Sequence, residues 1–200
     1  MTLCDGKQPV SAAQGEVLFT DYGVSGVCAM QLSRNAGEML EKGKKPLLYI
    51  DFSPMVGFIP RIYDRVAARD PFENTGKMEA FLSLRQHTLP KEQLLCGLVP
   101  RLLAQRLQGL SVKETARMLS AFPVPITGVR GFEYAQVTRG GLDGNDFDPA
   151  SLQSRKVPGL YAAGEMLDVD GDCGGYNLLF AFASGLIAGE HAALQAMKCK

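Results

Sequence analysis

Apolar positions recur along this chain in blocks, and the spacing within each block changes from one to the next, which marks out successive elements. The first fifteen residues are polar and turn-rich and predict a partly ordered strand or a frayed terminus. Glu16 to Phe19 reads as a strand, ended by the turn D-Y-G-V-S-G. Ser25 is then placed to cap a helix from about Gly26 to Glu41, whose apolar face is Val27, Met30, Ala36, Met39 and Leu40. Gly43 stops it. Pro46 to Phe52 (PLLYIDF) has high β propensity and predicts a strand, closed by Ser53-Pro54.

From Val56 to Gly109 the pattern is helical. Pro90 and Pro100 each sit where a first helical turn can begin, so they divide this stretch into short helices. Leu94, Leu95, Leu98, Leu102, Leu103 and Leu107 supply their buried faces. Ser111 followed by Glu114 is a capping box that opens a helix to about Ala121, and F-P-V-P at 122–125 breaks it. Phe132 to Thr138 reads as a strand ending at Arg139-Gly140-Gly141. Leu160 to Ala163 reads as a buried strand, with Gly164 turning the chain out of it into a loop rich in aspartate and glycine. A helix follows from about Tyr176, with Leu178, Leu179, Phe182, Leu186 and Ile187 on one broad stripe. No internal repeat interrupts the sequence.

Composition narrows the class. At 200 residues and 46% hydrophobic, the chain is long enough for one good core or two small ones. Its 21 basic and 21 acidic residues cancel, which leaves no electrostatic footprint for nucleic acid or for a membrane surface. Five scattered cysteines without a C-x-x-C argue against a disulfide framework and for a reducing cytoplasm. The N-terminal MTLCDGKQPV lacks the pattern of a signal peptide. The most apolar helical run, Leu178 to Gly189, is shorter than the roughly 20 residues of a membrane span and predicts a buried core helix.

The candidate chemistry concentrates at Gly174-Gly175. Placed at a helix start, this pair exposes unpaired N–H groups and the positive end of the helix dipole, which favour an anion or an electron-rich carbonyl. A plain helix cap is the structural alternative. Asp168, Asp170 and Asp172 imitate the opening of a calcium loop, but Cys173 and Leu179 stand where that loop needs Gly and Glu, so no metal is expected. His87 and His191 are isolated, and Cys173 has no partner cysteine nearby. Tyr22, Tyr63 and Tyr134 read either as core packing or as the lining of a substrate cavity.

Three stretches in order, GEVLFTDYGVSG at Gly15–Gly26, AQVTRGGL at Ala135–Leu142 and GLYAAGEMLDVDGDCGGYN at Gly159–Asn177, resemble the bacterial NAD(P)/FAD-dependent oxidoreductases that include the aminoacetone oxidase-like flavoproteins. The resemblance implies FAD as cofactor, with Glu165, beside Gly164, against the ribityl hydroxyls. It also implies that Gly174, Gly175, Tyr176 and Asn177 face the flavin pyrimidine edge, and that Thr138, Gly140 and Gly141 turn near the isoalloxazine. A solvated Glu165 and a glycine hinge at 140–141 are the alternatives. The family's G-x-G-x-x-G turn, which holds the pyrophosphate, does not occur in this sequence.

The implied fold is α+β. Residues 1–130 would be an inserted substrate-side domain of β-strands plus a small helical bundle at about 56–122. Residues 131–200 would be a C-terminal strand-loop-helix segment of a glutathione-reductase-like FAD domain. The implied function is hydride transfer through flavin N5 to or from a small molecule, with NAD(P)H and a missing N-terminal FAD-binding half as partners and no acid or base assigned. On this reading the isolated chain retains no FAD and is inactive. The rival reading is a folded module that binds no cofactor by itself and needs that half, or another partner, for activity.

Overall fold

The computed structural model describes residues 1–56 and 70–198 of the chain, which divides into two compact units, Met1–Val129 and Arg130–Lys200. The secondary structure is mixed α+β. In the first unit the N-terminal residues are not frayed: β1 (Thr2–Asp5) and β2 (Gln8–Ala12) form an antiparallel hairpin that buries Leu3 and Cys4. The stretch expected as one strand and a turn is a second hairpin, β3 (Leu18–Thr20) with β4 (Gly23–Ser25). Ser25 therefore belongs to a strand, and the N-cap of α1 (Val27–Glu41) is Gly26, with no side-chain bond. The buried face of α1 is Cys28, Leu32, Ala36 and Met39, at helical spacing but rotated from the expected set.

β5 (Pro46–Ile50) buries Pro46, Leu48 and Ile50 in strict alternation. It lies inside a four-stranded antiparallel sheet of order β2-β1-β5-β6. The breaker F-P-V-P turns out to be the strand β6 (Phe122–Pro125), paired to β5 from Leu47↔Pro125 to Ile50↔Phe122. Proline lacks a ladder donor, and an edge strand is where that loss is tolerated.

Three further helices share a core with this sheet. They are α2 (Thr75–Thr88), α3 (Arg101–Arg106) and α4 (Val112–Ser120), and the Ser111–Glu114 capping box forms as the sequence predicts. Pro100 stands at the N-cap of α3, whereas Pro90 opens only a single 3-10 turn at Lys91–Gln93. Met78, Leu82, Ala116 and Leu119 are the centre of the core, joined by Ile50, Phe52, Leu94, Leu95, Leu98 and Leu107. Leu102 points to solvent instead, 77% exposed. The part of the expected bundle over residues 57–69, Tyr63 included, lies outside the described residues.

The second unit departs most from expectation. Phe132–Tyr134 is a 3-10 turn, and residues 132–138 form no strand. Leu160 to Ala163 makes only the isolated bridge Gln153↔Tyr161, and of that stretch Ala162 is buried while Leu160 is exposed. β propensity needs a neighbouring strand to bond, and the described part of this unit provides single bridges rather than ladders. Its core is small: Phe147, Leu152, Ala162, Leu167 and Ala188.

The last helix, α5 (Tyr176–Lys198), is 23 residues long and continues past Glu190 because Ala192 to Met197 are good helix formers. The expectation of a short, buried core helix is corrected on both counts. By length and composition alone α5 could cross a membrane, and 11% of its most apolar window is buried.

Candidate functional site

Every residue singled out for cofactor contact lies in the second unit, between Thr138 and Asn177. Backbone pairing draws two of the three motif segments together there. Leu142 N–H donates to Met166 O at 2.8 Å and Asp168 N–H to Leu142 O at 2.9 Å, making the parallel bridge Leu142↔Leu167. Carboxylates extend this contact. Thr138 N–H donates to Glu165 Oε1 at 2.7 Å, and Gly140 N–H to Asp168 Oδ1 at 3.2 Å. Gly141 sits at φ +148°, and a Cβ there would stand 2.7 Å from Met166 O, so the approach of the two segments requires glycine.

Glu165, expected to address ribityl hydroxyls, thus spends one carboxylate oxygen on the backbone amide of Thr138. Asp168, which the sequence offered only as a false calcium ligand, is the second of these clamps. The signal that could have found both is the placement of acidic side chains on a turn facing a run of bare glycine amides.

The segment leaving this contact is tied to α5. Gly164 N–H donates to Ser184 Oγ at 2.9 Å, in a buried bond, while the Ser184 hydroxyl donates in turn to Phe180 O at 2.6 Å. A Cβ on Gly164 would meet Ala181 Cβ at 3.5 Å. Ser184 was missed because a lone serine among apolar helix residues carries no pattern of its own. Further along, Asn177 clasps the loop at both polar groups of Gly171: Gly171 N–H donates to Asn177 Oδ1 at 2.7 Å, and Asn177 Nδ2 to Gly171 O at 3.0 Å.

These ties leave the glycine pair open. Gly174, Gly175 and Tyr176 are exposed, and a Cβ on Gly175 would meet nothing within 4 Å. Gly175 carries φ +94°, and its carbonyl accepts from Leu179 N–H at 2.9 Å, so it serves as the helix cap and leaves the first-turn amides without intrahelical acceptors. The helix-cap reading and the ligand-site reading therefore coexist in one piece of backbone. The first-turn amides and the helix dipole favour partial negative charge at this turn, and the Tyr176 ring reaches to 3.9 Å from where a Cβ on Gly174 would stand. A donor set for a pyrophosphate is a different matter, because that glycine signature is absent from the sequence.

Other candidates fall away. Tyr22 and Tyr134 are each 55% exposed and pack in no core. Tyr49, with Phe72, Leu110, Arg117 and Met118, borders a space of about 420 Å³ in the first unit. Burial pushes the thiols of Cys4 and Cys28 up, so neither is a nucleophile near neutral pH.

Residues 15–191 match the family described as HI0933-like protein Rossmann domain. The 3-dehydro-bile acid delta(4,6)-reductase of Clostridium scindens is 32% identical over 200 residues, covering 94% of this chain and 46% of the relative. The ribosomal RNA dihydrouridine synthase of Escherichia coli is 34% identical over 124 residues, covering 54% of this chain and 31% of the relative. Its Haemophilus influenzae namesake is 27% identical over 173 residues, covering 84% and 40%. The chain spans less than half the length of each of these curated relatives. With a family match over residues 15–191, the chain belongs to the HI0933-like Rossmann-domain family.

Proposed function

We propose that this chain supplies the ring-binding side of an FAD-dependent oxidoreductase that acts on a small molecule. The observation that carries the reading is the exposed Gly174-Gly175 turn at the N-terminus of α5, following the Gly171 loop residue that Asn177 clasps. When bound, FAD supplies hydride acceptance and donation at its ring. The residues of this chain orient it. The amides of the first turn of α5 favour the negative charge that a reduced ring carries. The 138–142 turn, clamped by Glu165 and Asp168, fixes a second backbone edge, and Thr138, Gly140 and Gly141 act there as positioning residues.

Relatives named as a reductase and as dihydrouridine synthases support redox chemistry. Their named substrates differ, a bile acid in one case and ribosomal RNA in the other. The balance of 21 basic and 21 acidic residues favours the small molecule here, because an RNA substrate calls for a basic excess. NAD(P)H belongs to the same proposal as the source of the hydride. Cytoplasmic residence follows from the same reading.

The pyrophosphate of FAD needs a glycine-rich turn that this sequence lacks, so the proposal includes a nucleotide-binding half working with this chain. Alone, the purified chain is expected to be colourless. Combined with the portion of the Clostridium scindens reductase outside its matched region, it is expected to retain FAD. Asn177→Ala should then weaken flavin binding by about tenfold, an energy in the range of one hydrogen bond. Flavin fluorescence titration measures this, and an unchanged affinity would remove the turn from the site. Gly175→Val is a poorer probe, since φ +94° strains valine with or without a ligand.

A further inference from the structure

The space of about 420 Å³ in the first unit is bordered by residues of β5, α4 and β6 together with Phe72. Strand alternation puts an aromatic ring there. β5 buries Pro46, Leu48 and Ile50, which leaves Tyr49 on its other face, and Tyr49 pairs with Pro123 across β6, so both stand on one side of the sheet. Tyr49 and Phe72 meet edge to face, with 5.5 Å between ring centroids and 64° between planes. Leu110 and Met118 add aliphatic wall. An apolar space of this size with a single convergent charge is the usual form of a small-molecule site.

That charge is Arg117. Its Cζ lies 5.2 Å from the centroid of the Phe72 ring, and among the described residues its guanidinium makes no hydrogen bond or ion pair. The ring contact uses the positive charge and leaves the N–H donors unused. Glu114, the one acid among the bordering residues, is committed elsewhere: its Oε2 accepts from the Ser111 N–H at 2.8 Å and from the Ser111 hydroxyl at 2.6 Å. A guanidinium stacked on a ring keeps the planar fork that matches a carboxylate. One cation with an acid close by favours a monoanion, since the second charge of a phosphate would go unanswered beside Glu114.

We propose that this space binds an aromatic carboxylate, with its ring against Tyr49, Phe72, Leu110 and Met118 and its carboxylate on the Arg117 guanidinium. All of these residues belong to the first unit, so the assignment does not depend on the flavin reading.

The test titrates 2-naphthoate into the 200-residue chain by calorimetry, beside 2-naphthylmethanol, which keeps the rings and lacks the charge. Saturable 1:1 binding of 2-naphthoate is expected, with the neutral probe about tenfold weaker. Arg117→Gln should weaken 2-naphthoate by about tenfold and change 2-naphthylmethanol by less than about twofold. Arg117 is exposed on α4, and a circular dichroism melt verifies that the variant is folded. Added sodium chloride, which needs no variant, should weaken the carboxylate and spare the alcohol. The proposal is overturned by a wild-type chain that shows no saturable 2-naphthoate binding, by equal affinity for the two probes, by salt-independent 2-naphthoate binding, or by an Arg117→Gln chain that keeps its 2-naphthoate affinity or loses both probes alike. Displacement of 2-naphthoate by an equal concentration of inorganic phosphate overturns the carboxylate as the recognised group.

Discussion

The two units of this chain treat their apolar residues in opposite ways. In Met1–Val129, Leu3, Met78, Leu82 and Leu119 are essentially sealed, and sheet and helices close over them. In Arg130–Lys200 the core contains five buried residues, while Phe182 and Leu186 on the longest helix stand more than two-thirds exposed. Hydrophobic content alone therefore does not separate the two. What differs is whether the complementary surface is present in the same unit. The first unit folds around itself, whereas the second is organised by hydrogen bonds among turns and presents its apolar face outward.

The sharpest way to break this contrast is truncation of matched leucines. Leu82→Ala removes a side chain with no exposure and is expected to destabilise the first unit by about 3 kcal/mol. Leu186→Ala, at 76% exposure, is expected to change stability by less than about 0.5 kcal/mol in the isolated chain. Chemical denaturation of the two variants beside wild type reads both numbers. Equal losses would mean that α5 is packed after all, and the contrast would fail.

The same asymmetry explains what could be read from the residues. Elements of the first unit whose signals are local were legible: the alternation of β5, the body of α1, and the Ser111–Glu114 box that opens α4. F-P-V-P ends α4 as its prolines predict, but its pairing as an edge strand was not legible, because that depends on β5 lying beside it. In the second unit the helix start at Tyr176 and the glycine turns were legible, since they depend on backbone freedom. The strands expected at Phe132 and Leu160 were not, because pairing is decided by neighbours distant in sequence. Of the site, the segments were visible in the motifs, but their clamps were not. Glu165, Asp168, Ser184 and Asn177 act through bonds to main-chain amides; acidic residues near bare glycines hint at the first two, but no pattern marks Ser184.

A second, smaller test asks whether those clamps make the second unit rigid despite its slight core. Gly141→Ala places a Cβ against Met166 O at a backbone angle that alanine disfavours, so a loss of about 2 kcal/mol is expected. The amides of Thr138 and Gly140 should then lose protection in hydrogen exchange. A loss under about 0.5 kcal/mol with protection intact would show that the two segments are loosely apposed.

The smallest effect expected is one that the two units share. Hydrogen bonds from the Ser111 hydroxyl, then from its backbone N–H, hold the Glu114 carboxyl below the usual carboxylate range. In the second unit, the amides of Ala150 and Ser151 do the same for Asp148, assisted by the Ser151 hydroxyl and Arg155. In both cases the folded chain favours the ionised form. The stabilisation is therefore complete above the ordinary carboxylate range and disappears as the pH falls through the lowered values of the folded state. Stability measured from neutral to acidic pH should decline across that window, and Ser111→Ala should flatten the first unit's share while leaving the Asp148 share in place. The substitution itself is expected to lower neutral-pH stability by about 1 kcal/mol, the usual worth of an N-cap. An acid profile identical in wild type and Ser111→Ala would show that the cap does not hold the Glu114 carboxylate in solution, and that the order of the first unit comes from its sealed core alone.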